Sequence, residues 1–229
     1  MESSSVTHKR SILKLLEHEA FQLLEKYGIP HPPYGLAKTP EEAVELAEAI
    51  GYPVVMKIVS PDISHKTDIG GVILGIKNRE EVMNSYRKII TNVKTIYPAA
   101  RIAGVLVQKM VPKGVEVIVG GTRDNVFGIV IMFGLGGVLT EVFRDVTFRV
   151  WPFTREEAMD MITEIKGVEL LKGHRGLPPA NINSIAEIMI KLGKLMEENP
   201  DIESADLNPV VAYPDKSLVV DARFILKQE

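Results

Sequence analysis

The run PVVMKIV at residues 53–59, followed closely by SHKTDIGGV at 64–72, decides how this chain is organised. The first run is rich in Val and predicts a buried strand, whereas the second is polar and ends in two glycines, which predicts a loop. His65 therefore lies in a loop that follows a strand. Because a neutral imidazole nitrogen is nucleophilic at pH 7, His65 is a candidate carrier of a phosphoryl group. On this segment alone, an exposed histidine without a task is the alternative.

The composition is typical of a globular protein: 229 residues, 45% of them hydrophobic and 25% charged, with a net charge of -3. The basic residues are scattered, so we expect no nucleic acid partner. The absence of cysteine excludes disulfides and cysteine zinc sites and agrees with a reducing compartment. The sequence shows no pattern of a signal peptide or a membrane span, so we expect a cytoplasmic protein without a membrane partner.

Helical periodicity predicts an amphipathic helix over about 8–27, ending before Gly28. Three later helix starts carry a capping-box pattern, in which the first side chain caps the helix and the fourth reaches back. These starts are TPEE at 39–42, NREE at 78–81 and TREE at 154–157. Runs rich in Val and Ile predict strands at 53–59, 72–77, 102–111, 114–120, 126–132 and 145–151, and a final hairpin of 203–212 and 217–224.

The order of these elements predicts an α+β protein of two lobes. After the second capped helix the strands follow one another through short turns, which is not the regular alternation of a parallel α/β sheet. We expect an N-terminal helical segment at 1–27, a first lobe at 28–111 and a second lobe at 112–229. The break between the lobes is expected near Val111-Pro112-Lys113-Gly114.

The final hairpin brings oxygen-bearing side chains together. Asp206 and Asn208 are two residues apart and share a face of their strand. With a two-residue loop Asn208 faces Asp221 directly, and with a four-residue loop the two are diagonal neighbours on that face. Mg²⁺ favours such oxygen ligands. The alternative is a strand end at Asn208 and a solvated charge at Asp221.

Several residues are candidates for holding a nucleotide. Lys57 lies among apolar neighbours, where phosphate oxygens could pair with it, although a lysine at the rim of a strand is equally common. Gly70-Gly71 and the glycines of 134–137 could present backbone N–H donors to phosphate, or mark turns only. The chain contains neither a P-loop nor a dinucleotide fingerprint, so a nucleotide needs another cradle.

Three further stretches offer polar contacts. The run Gln108-Lys109-Met110-Val111 could grip an adenine by its edge and its face, and Glu116 could accept hydrogen bonds from ribose hydroxyls. Arg175 could reach a phosphate, although a surface loop arginine is the simpler interpretation. None of these stretches is specific by itself.

In this order the residues resemble those of the ATP-grasp fold, and more closely the small β subunit of an ADP-forming acetyl-CoA synthetase (acyl-CoA synthetase, NDP-forming), a relative of the succinyl-CoA synthetase β subunit. The resemblance implies a nucleotide held between two α+β lobes. It also implies an enzyme that interconverts acyl-CoA, ADP and phosphate with the free acid, CoA and ATP. The partner would be a CoA-binding α subunit, commonly in an α2β2 assembly.

The resemblance further implies roles for individual residues. His65 would accept the phosphoryl group from the α subunit and pass it to Mg²⁺-ADP, with Asp206 orienting the imidazole. Asp206 departs from the succinyl relative, which has a longer glutamate there. The other implied roles are Lys57, Gly70 and Gly71 at the phosphates, Gln108, Lys109, Met110 and Val111 at adenine, Glu116 at the ribose, and Asn208 and Asp221 at Mg²⁺.

A moving loop would connect the two active sites that this scheme requires. Ser60-Pro61 and Gly70-Gly71 bracket a segment of about ten residues, which at roughly 3.3 Å per residue could carry His65 well over 10 Å. Two other functions stay open: a stand-alone ATP-grasp carboxylate ligase, in which His65 has no covalent role, and a non-catalytic nucleotide-sensing module. The sequence favours ADP over GDP only weakly and does not indicate the acid.

Overall fold

A computed structural model describes residues 13–63, 65–137, 145–173 and 178–227. Arg175 and the first part of the expected N-terminal helix lie outside these ranges. The helices in the described ranges are α1 (Glu17–Lys26), α2 (Pro40–Ile50), α3 (Arg79–Ile96), α4 (Arg155–Glu164) and α5 (Ile182–Glu198), with a 3-10 turn at Val168–Lys172. The strands are β1 (Tyr34–Ala37), β2 (Val54–Val59), β3 (Val72–Ile76), β4 (Gly104–Lys109), β5 (Val115–Asp124), β6 (Gly128–Leu135), β7 (Val146–Val150), β8 (Ile202–Ala212), β9 (Ser217–Val219) and β10 (Ala222–Leu226).

The strands form two antiparallel sheets. The first has the order β1-β4-β2-β3, and α2 and α3 pack on it. The second has the order β10-β8-β5-β6-β7, with β9 paired to β8, and α4 and α5 pack on it. The chain passes from the first sheet to the second between Lys109 and Val115. Mixed helix and antiparallel sheet agree with the expected α+β class.

The first helix is shorter than the sequence predicts. α1 begins at Glu17, and residues 13–16 are extended instead. They pair with β10, since Leu15 N donates to Phe224 O at 3.0 Å and Leu226 N donates to Leu13 O at 2.8 Å. The free edge of β10 offers backbone partners that a further helical turn would leave unpaired. The prediction of a helix over 13–16 is therefore wrong.

The buried face of α1 belongs to the core of the second sheet. Phe21 and Leu24 are fully buried there, with Phe133 and Phe224. Burying the apolar stripe of α1 fixes the N-terminal segment to the C-terminal half of the protein. As a result Glu17, at the start of α1, lines the same cavity as Asp221 and Arg223 of the C-terminal hairpin.

All three predicted helix starts are confirmed. Thr39 accepts a hydrogen bond from Glu42 N at 3.1 Å and Asn78 accepts one from Glu81 N at 2.9 Å. At α4 the box is reciprocal, because Glu157 N donates to Thr154 at 3.2 Å and Thr154 N donates to the Glu157 carboxylate at 2.7 Å.

Other boundaries differ from the expectation. Two elements are not predicted by the sequence: β1, whose first residue ends a proline-rich connector, and α5. β5 continues through Gly120-Gly121 to Asp124. A side chain at Gly121 would meet the Met196 sulfur at 2.3 Å, so glycine at this position lets α5 approach the sheet. The last predicted strand is divided into β9 and β10. No helix in the described ranges has an apolar stretch long enough to span a bilayer.

Replacing Thr154 with Ala tests the cap at α4. The variant leaves the Glu157 amide without its acceptor, so we expect the free energy of unfolding to fall by about 1 kcal/mol. Urea denaturation measures the change. Thr91→Ala, at an exposed position inside α3, is the matched control and should shift it by less than about 0.5 kcal/mol. An equal loss in both variants would contradict the role of the cap.

Candidate functional site

The C-terminal hairpin has the register that a two-residue turn produces. Tyr213 N donates to Lys216 O at 2.8 Å, which closes the turn around Pro214 and Asp215. Further along, Asn208 N donates to Asp221 O at 3.1 Å, so these two residues stand opposite one another.

The same register sorts the hairpin side chains onto two faces. Arg223 is the partner of Asp206, and Ala222 is the partner of Leu207. Leu207 is fully buried, whereas Asp206 and Asn208 are exposed. Because directly paired residues share a face, the side chains of Asp206, Asn208, Asp221 and Arg223 lie on one side of the hairpin.

A buried ionic network joins this hairpin to β2 and to the His65 segment. Lys57 Nζ donates to Glu17 Oε1 at 2.7 Å and to Val220 O at 2.9 Å, and it lies 3.6 Å from Asp221 Oδ2. Lys66, next to His65, donates to the second oxygen of Glu17 and lies 3.7 Å from Asp221 Oδ2. Glu17 and Lys57 are each only 6% exposed. Two carboxylates therefore hold two lysines at the point where four parts of the chain meet.

The network shifts the proton affinities of its members. Burial alone would raise the pKa of Glu17, but the charges of Lys57 and Lys66 and their hydrogen bonds outweigh it, and the pKa lies below its ordinary value. Burial alone would lower the pKa of Lys57, but Asp221 and Glu17 raise it above its ordinary value. Loss of surrounding water raises the pKa of Asp206, and the charge of Asp221 raises it further against the opposing effect of Arg223. At neutral pH, Glu17 and Lys57 are thus both charged.

His65 is exposed, and the segment that carries it is fixed on either side. Before it, Ile63 is buried, and Asp62 pairs with Arg101 through both carboxylate oxygens. After it, the chain turns at Gly70, whose φ of +64° favours glycine, and Gly71 N donates to Lys66 O at 2.8 Å. The imidazole is therefore presented at the surface of a closed turn.

Gly70 and Gly71 have structural roles in this turn. A side chain at Gly71 would approach Ile58 Cγ2 to 2.7 Å and Lys66 O to 2.8 Å. Gly70 O accepts a hydrogen bond from Asn92 at 3.2 Å. The contacts explain why glycine is needed here, whether or not the amides also bind phosphate.

The predicted adenine-binding run lies along a cavity of about 480 Å³. Lys109, Met110 and Val111 line this cavity with His31 and the hairpin turn at Pro214. Its volume is in the range of small-molecule sites. Gln108 does not line it, because its side chain is 99% buried and donates to Val220 O at 3.3 Å. Backbone N–H groups of the run are also engaged, since Lys109 N donates to Pro33 O and Met110 N to Pro53 O.

Glu116 is not among the lining residues of that cavity and lies beside the glycine turn after β6. Its carbonyl accepts a hydrogen bond from Gly136 N at 2.7 Å. A side chain at Gly136 would meet the Glu116 backbone at 2.9 Å. The turn at 136–137 thus supports the exposed Glu116 carboxylate.

The structure brings some predicted site residues together and leaves others apart. Lys57 and Asp221 are in contact, and Asn208 is next to Asp221. Asp206 lines a separate cavity of about 460 Å³ on the open face of the second sheet, and His65 is not among its lining residues. The predicted orientation of the imidazole by Asp206 is therefore not seen in this arrangement.

Sequence reasoning missed Glu17 and Lys66. Glu17 lies at the start of an amphipathic helix, where a glutamate is ordinary. Only its spacing from Ala20, Phe21 and Leu24, which places Glu17 on the buried face of α1, could have indicated that its side chain is buried. Lys66 gave a weaker signal, since a lysine in a polar loop is expected to be solvated.

The oxygens of Asn208 and Asp221 fit a magnesium ion by their chemistry, since Mg²⁺ takes one or two carboxylate or amide oxygens and completes its shell with water and phosphate. They face one another across the hairpin, which puts both donors at one place. In the described part of the chain no three His, Cys, Asp or Glu side chains form a metal-binding group. The donor set therefore suits an ion shared with a phosphate ligand better than a closed metal site.

Comparison with known proteins gives a consistent result. A model of the ATP-grasp domain family matches residues 6–226. The acetate–CoA ligase (ADP-forming) I subunit beta of Pyrococcus furiosus is 50% identical over 212 residues, covering 93% of this chain and 91% of that protein. The acetate–CoA ligase (ADP-forming) I of Archaeoglobus fulgidus is 47% identical over 92% of this chain, which spans only 31% of that longer protein.

The solved structures add a view of the histidine segment. Acetyl-coenzyme A synthetase 1 of Ca. Korarchaeum cryptofilum, in complex with coenzyme A and Ca-AMPCP, has a TM-score of 0.92 and 51% identity, covering 93% of each chain. The same enzyme has been solved with a phosphorylated phosphohistidine segment in a site I orientation. With coenzyme A and Mg-AMPPCP, its phosphohistidine segment points towards the nucleotide binding site.

Glu17→Gln tests the buried network. The variant leaves Lys57 and Lys66 without their shared countercharge, so we expect the free energy of unfolding at pH 7 to fall by about 3–5 kcal/mol. Because the pKa of Glu17 is lowered in the folded state, its contribution is complete above about 4.5, the unfolded value, and is lost as the pH falls through the folded value. The difference between the native protein and the variant should therefore shrink below about pH 4.5.

Urea denaturation over a pH series measures this difference. Glu45→Gln, on the exposed side of α2, is the control and should change the free energy by less than about 0.5 kcal/mol at every pH. A Glu17→Gln effect that is equally small, or that grows towards low pH, would contradict the network.

Proposed function

This chain belongs to the ATP-grasp family, with ADP-forming acetate–CoA ligase β subunits among its relatives, and we propose that it is the nucleotide-binding β subunit of such an acyl-CoA synthetase. The reaction is the interconversion of acyl-CoA, ADP and phosphate with the free acid, CoA and ATP. The observation that carries the proposal is the contact of Lys66, the neighbour of His65, with Asp221, the proposed metal ligand. It brings the histidine segment and the metal-binding hairpin together.

In the direction that consumes ATP, His65 takes the γ-phosphoryl group. The lone pair of an imidazole nitrogen forms a bond to the γ-phosphorus, the bond from that phosphorus to the bridging oxygen breaks, and ADP leaves with the electron pair. The reverse transfer makes ATP from ADP. The imidazole of His65 is exposed, which suits both transfers, because it must exchange the phosphoryl group with the nucleotide and with the α subunit.

The surrounding residues position the phosphates. Lys57 neutralises phosphate charge, and Gly70 and Gly71 hold the turn that presents His65. Asn208 and Asp221 would hold Mg²⁺, which when bound neutralises charge on the phosphates. Phosphoryl transfer depends mostly on such positioning and charge compensation.

The nucleotide is proposed to lie with its adenine against Lys109, Met110 and Val111 and its ribose at Glu116. Burial of Gln108 against Val220 gives this residue a different task from direct base contact. It connects the adenine-binding run to the segment between β9 and β10 that carries Asp221. Adenine is proposed over guanine.

The partner is proposed to be a CoA-binding α subunit in an α2β2 assembly in the cytoplasm. This chain accounts for only 31% of the longer Archaeoglobus fulgidus relative, so the rest of that protein has room for further domains. The acyl pocket and the second phosphoryl acceptor would lie on the α subunit. Asp206 is proposed to orient the imidazole once the segment has moved towards the nucleotide.

Incubation with γ-labelled ATP and Mg²⁺ tests this function in the chain purified with its native partner. We expect an acid-labile, base-stable label on His65 that is removed on adding ADP, and no label in His65→Asn. Thr67→Ala, an exposed change in the same segment, is the control and should be labelled as the native protein is. Mass spectrometry under neutral conditions locates the label.

Two outcomes would contradict the proposal. Turnover without any label on His65 would favour a stand-alone carboxylate ligase. Nucleotide binding without turnover in the purified complex would favour a sensing module.

A further inference from the structure

A small cavity lies beneath the His65 segment. Its volume is about 110 Å³, well above the roughly 10–15 Å³ that a cavity needs to hold one water molecule. The extended residues at 14–16, Ser60 after β2, Lys66, and the hairpin at 221–223 form its walls. The space is suited to a group of a few atoms, such as a phosphoryl group.

The charges around this cavity are not balanced. Lys14, Lys66 and Arg223 line it, together with Glu17 and Asp221. Glu17 and Asp221 form ion pairs with Lys57 and Lys66. Within the described chain neither carboxylate forms an ion pair with Lys14 or Arg223. Counting Lys57, which pairs with both carboxylates but does not line the cavity, the cluster contains four cations and two carboxylates.

The two carboxylates nearby do not remove this imbalance. Asp62 is engaged with Arg101 through both oxygens. Asp206 stands opposite Arg223 in the hairpin register and lines the neighbouring cavity. Within the described chain Asp206 makes no ion pair with Arg223. Counting Asp206, the cluster still carries one excess positive charge.

Lys14 shows the consequence of this crowding. Its ammonium donates to Ile63 O at 2.6 Å, which is a neutral partner. Burial lowers the pKa of Lys14, and the charges of Arg223 and Lys66 lower it further, with Asp62 opposing. A negative group in the cavity would relieve both effects.

Arg223 gives the most direct sign of a missing ligand. Its Nε is buried and has no hydrogen-bond partner in the described chain. A buried donor without an acceptor costs free energy, so it is normally paired. A guanidinium offers several N–H donors in one plane, which match the oxygens of a phosphate group.

We propose that Lys14, Lys66 and Arg223 form an oxyanion site that binds a phosphoryl-type group beside His65. Two sources share this chemistry: the phosphoryl group carried on His65, and free inorganic phosphate. The first source rests on the function proposed above, and the second does not. The site binds the group and breaks no bond.

Titration of inorganic phosphate into the full chain by calorimetry, at constant ionic strength with chloride, tests the site itself. We expect one phosphate per chain and at least tenfold weaker binding in Arg223→Met and in Lys14→Met. Arg223→Lys keeps the charge and should retain part of the affinity. Arg87→Met, an exposed change on α3, is the control and should bind phosphate as the native chain does. Circular dichroism confirms that each variant is folded.

The phosphorylated chain distinguishes the two sources. If the group on His65 occupies the site, phosphorylation abolishes phosphate binding, and the ³¹P resonance of the phosphohistidine differs between the native chain and Arg223→Met. If phosphate still binds to the phosphorylated chain, free phosphate is the occupant and the site stands.

Other results would overturn the site. The site is contradicted if the native chain binds no phosphate and the ³¹P resonance of the phosphohistidine is the same in Arg223→Met. That result leaves the phosphohistidine function intact. An equal loss in Arg87→Met would show a nonspecific charge effect. If phosphate binding depends on Arg223 but His65 is never labelled, the site holds and the proposed function fails.

Discussion

The arrangement depends on one buried carboxylate, Glu17, which holds Lys57 with one oxygen and Lys66 with the other. A charge removed from water must be paired, so Glu17 and the two lysines constrain one another's positions. The start of α1, the strand β2, the His65 segment and the C-terminal hairpin therefore converge on one point. Without Glu17, neither lysine has a sufficient buried partner, because Asp221 lies more than 3.5 Å from both.

This convergence makes the ligand sites interdependent. Lys57 and Asp221, proposed to meet phosphate and metal, compensate one another in the absence of ligand. A nucleotide phosphate would compete with Asp221 for Lys57, and a metal ion would compete with both lysines for Asp221. We expect each competition to weaken the hold of the network on Lys66, and hence on the segment that presents His65. Loading of the nucleotide would then be linked to release of the segment through charge compensation.

Local signals in the sequence predicted much of this structure. Thr39, Asn78 and Thr154 indicated their helix starts because capping involves only four consecutive residues. The spacing of Asp206 and Asn208 indicated a shared face because strand alternation is fixed. The network could not be predicted, since Glu17 and Lys66 are far apart in sequence and meet only through tertiary packing. The extended segment at 13–16 was missed for the same reason: its partner, β10, lies at the other end of the chain.

The central claim is that the Glu17 network holds the His65 segment until nucleotide is bound. The chain contains no cysteine, so spin labels at Thr67→Cys and Glu197→Cys report one distance without further changes. Double electron–electron resonance should give a narrow distribution in the ligand-free protein, a shifted one with a Mg²⁺-nucleotide analogue, and a broad one in ligand-free Glu17→Gln. A ligand-free Glu17→Gln distribution as narrow as that of the native protein, at the same distance, would contradict the claim.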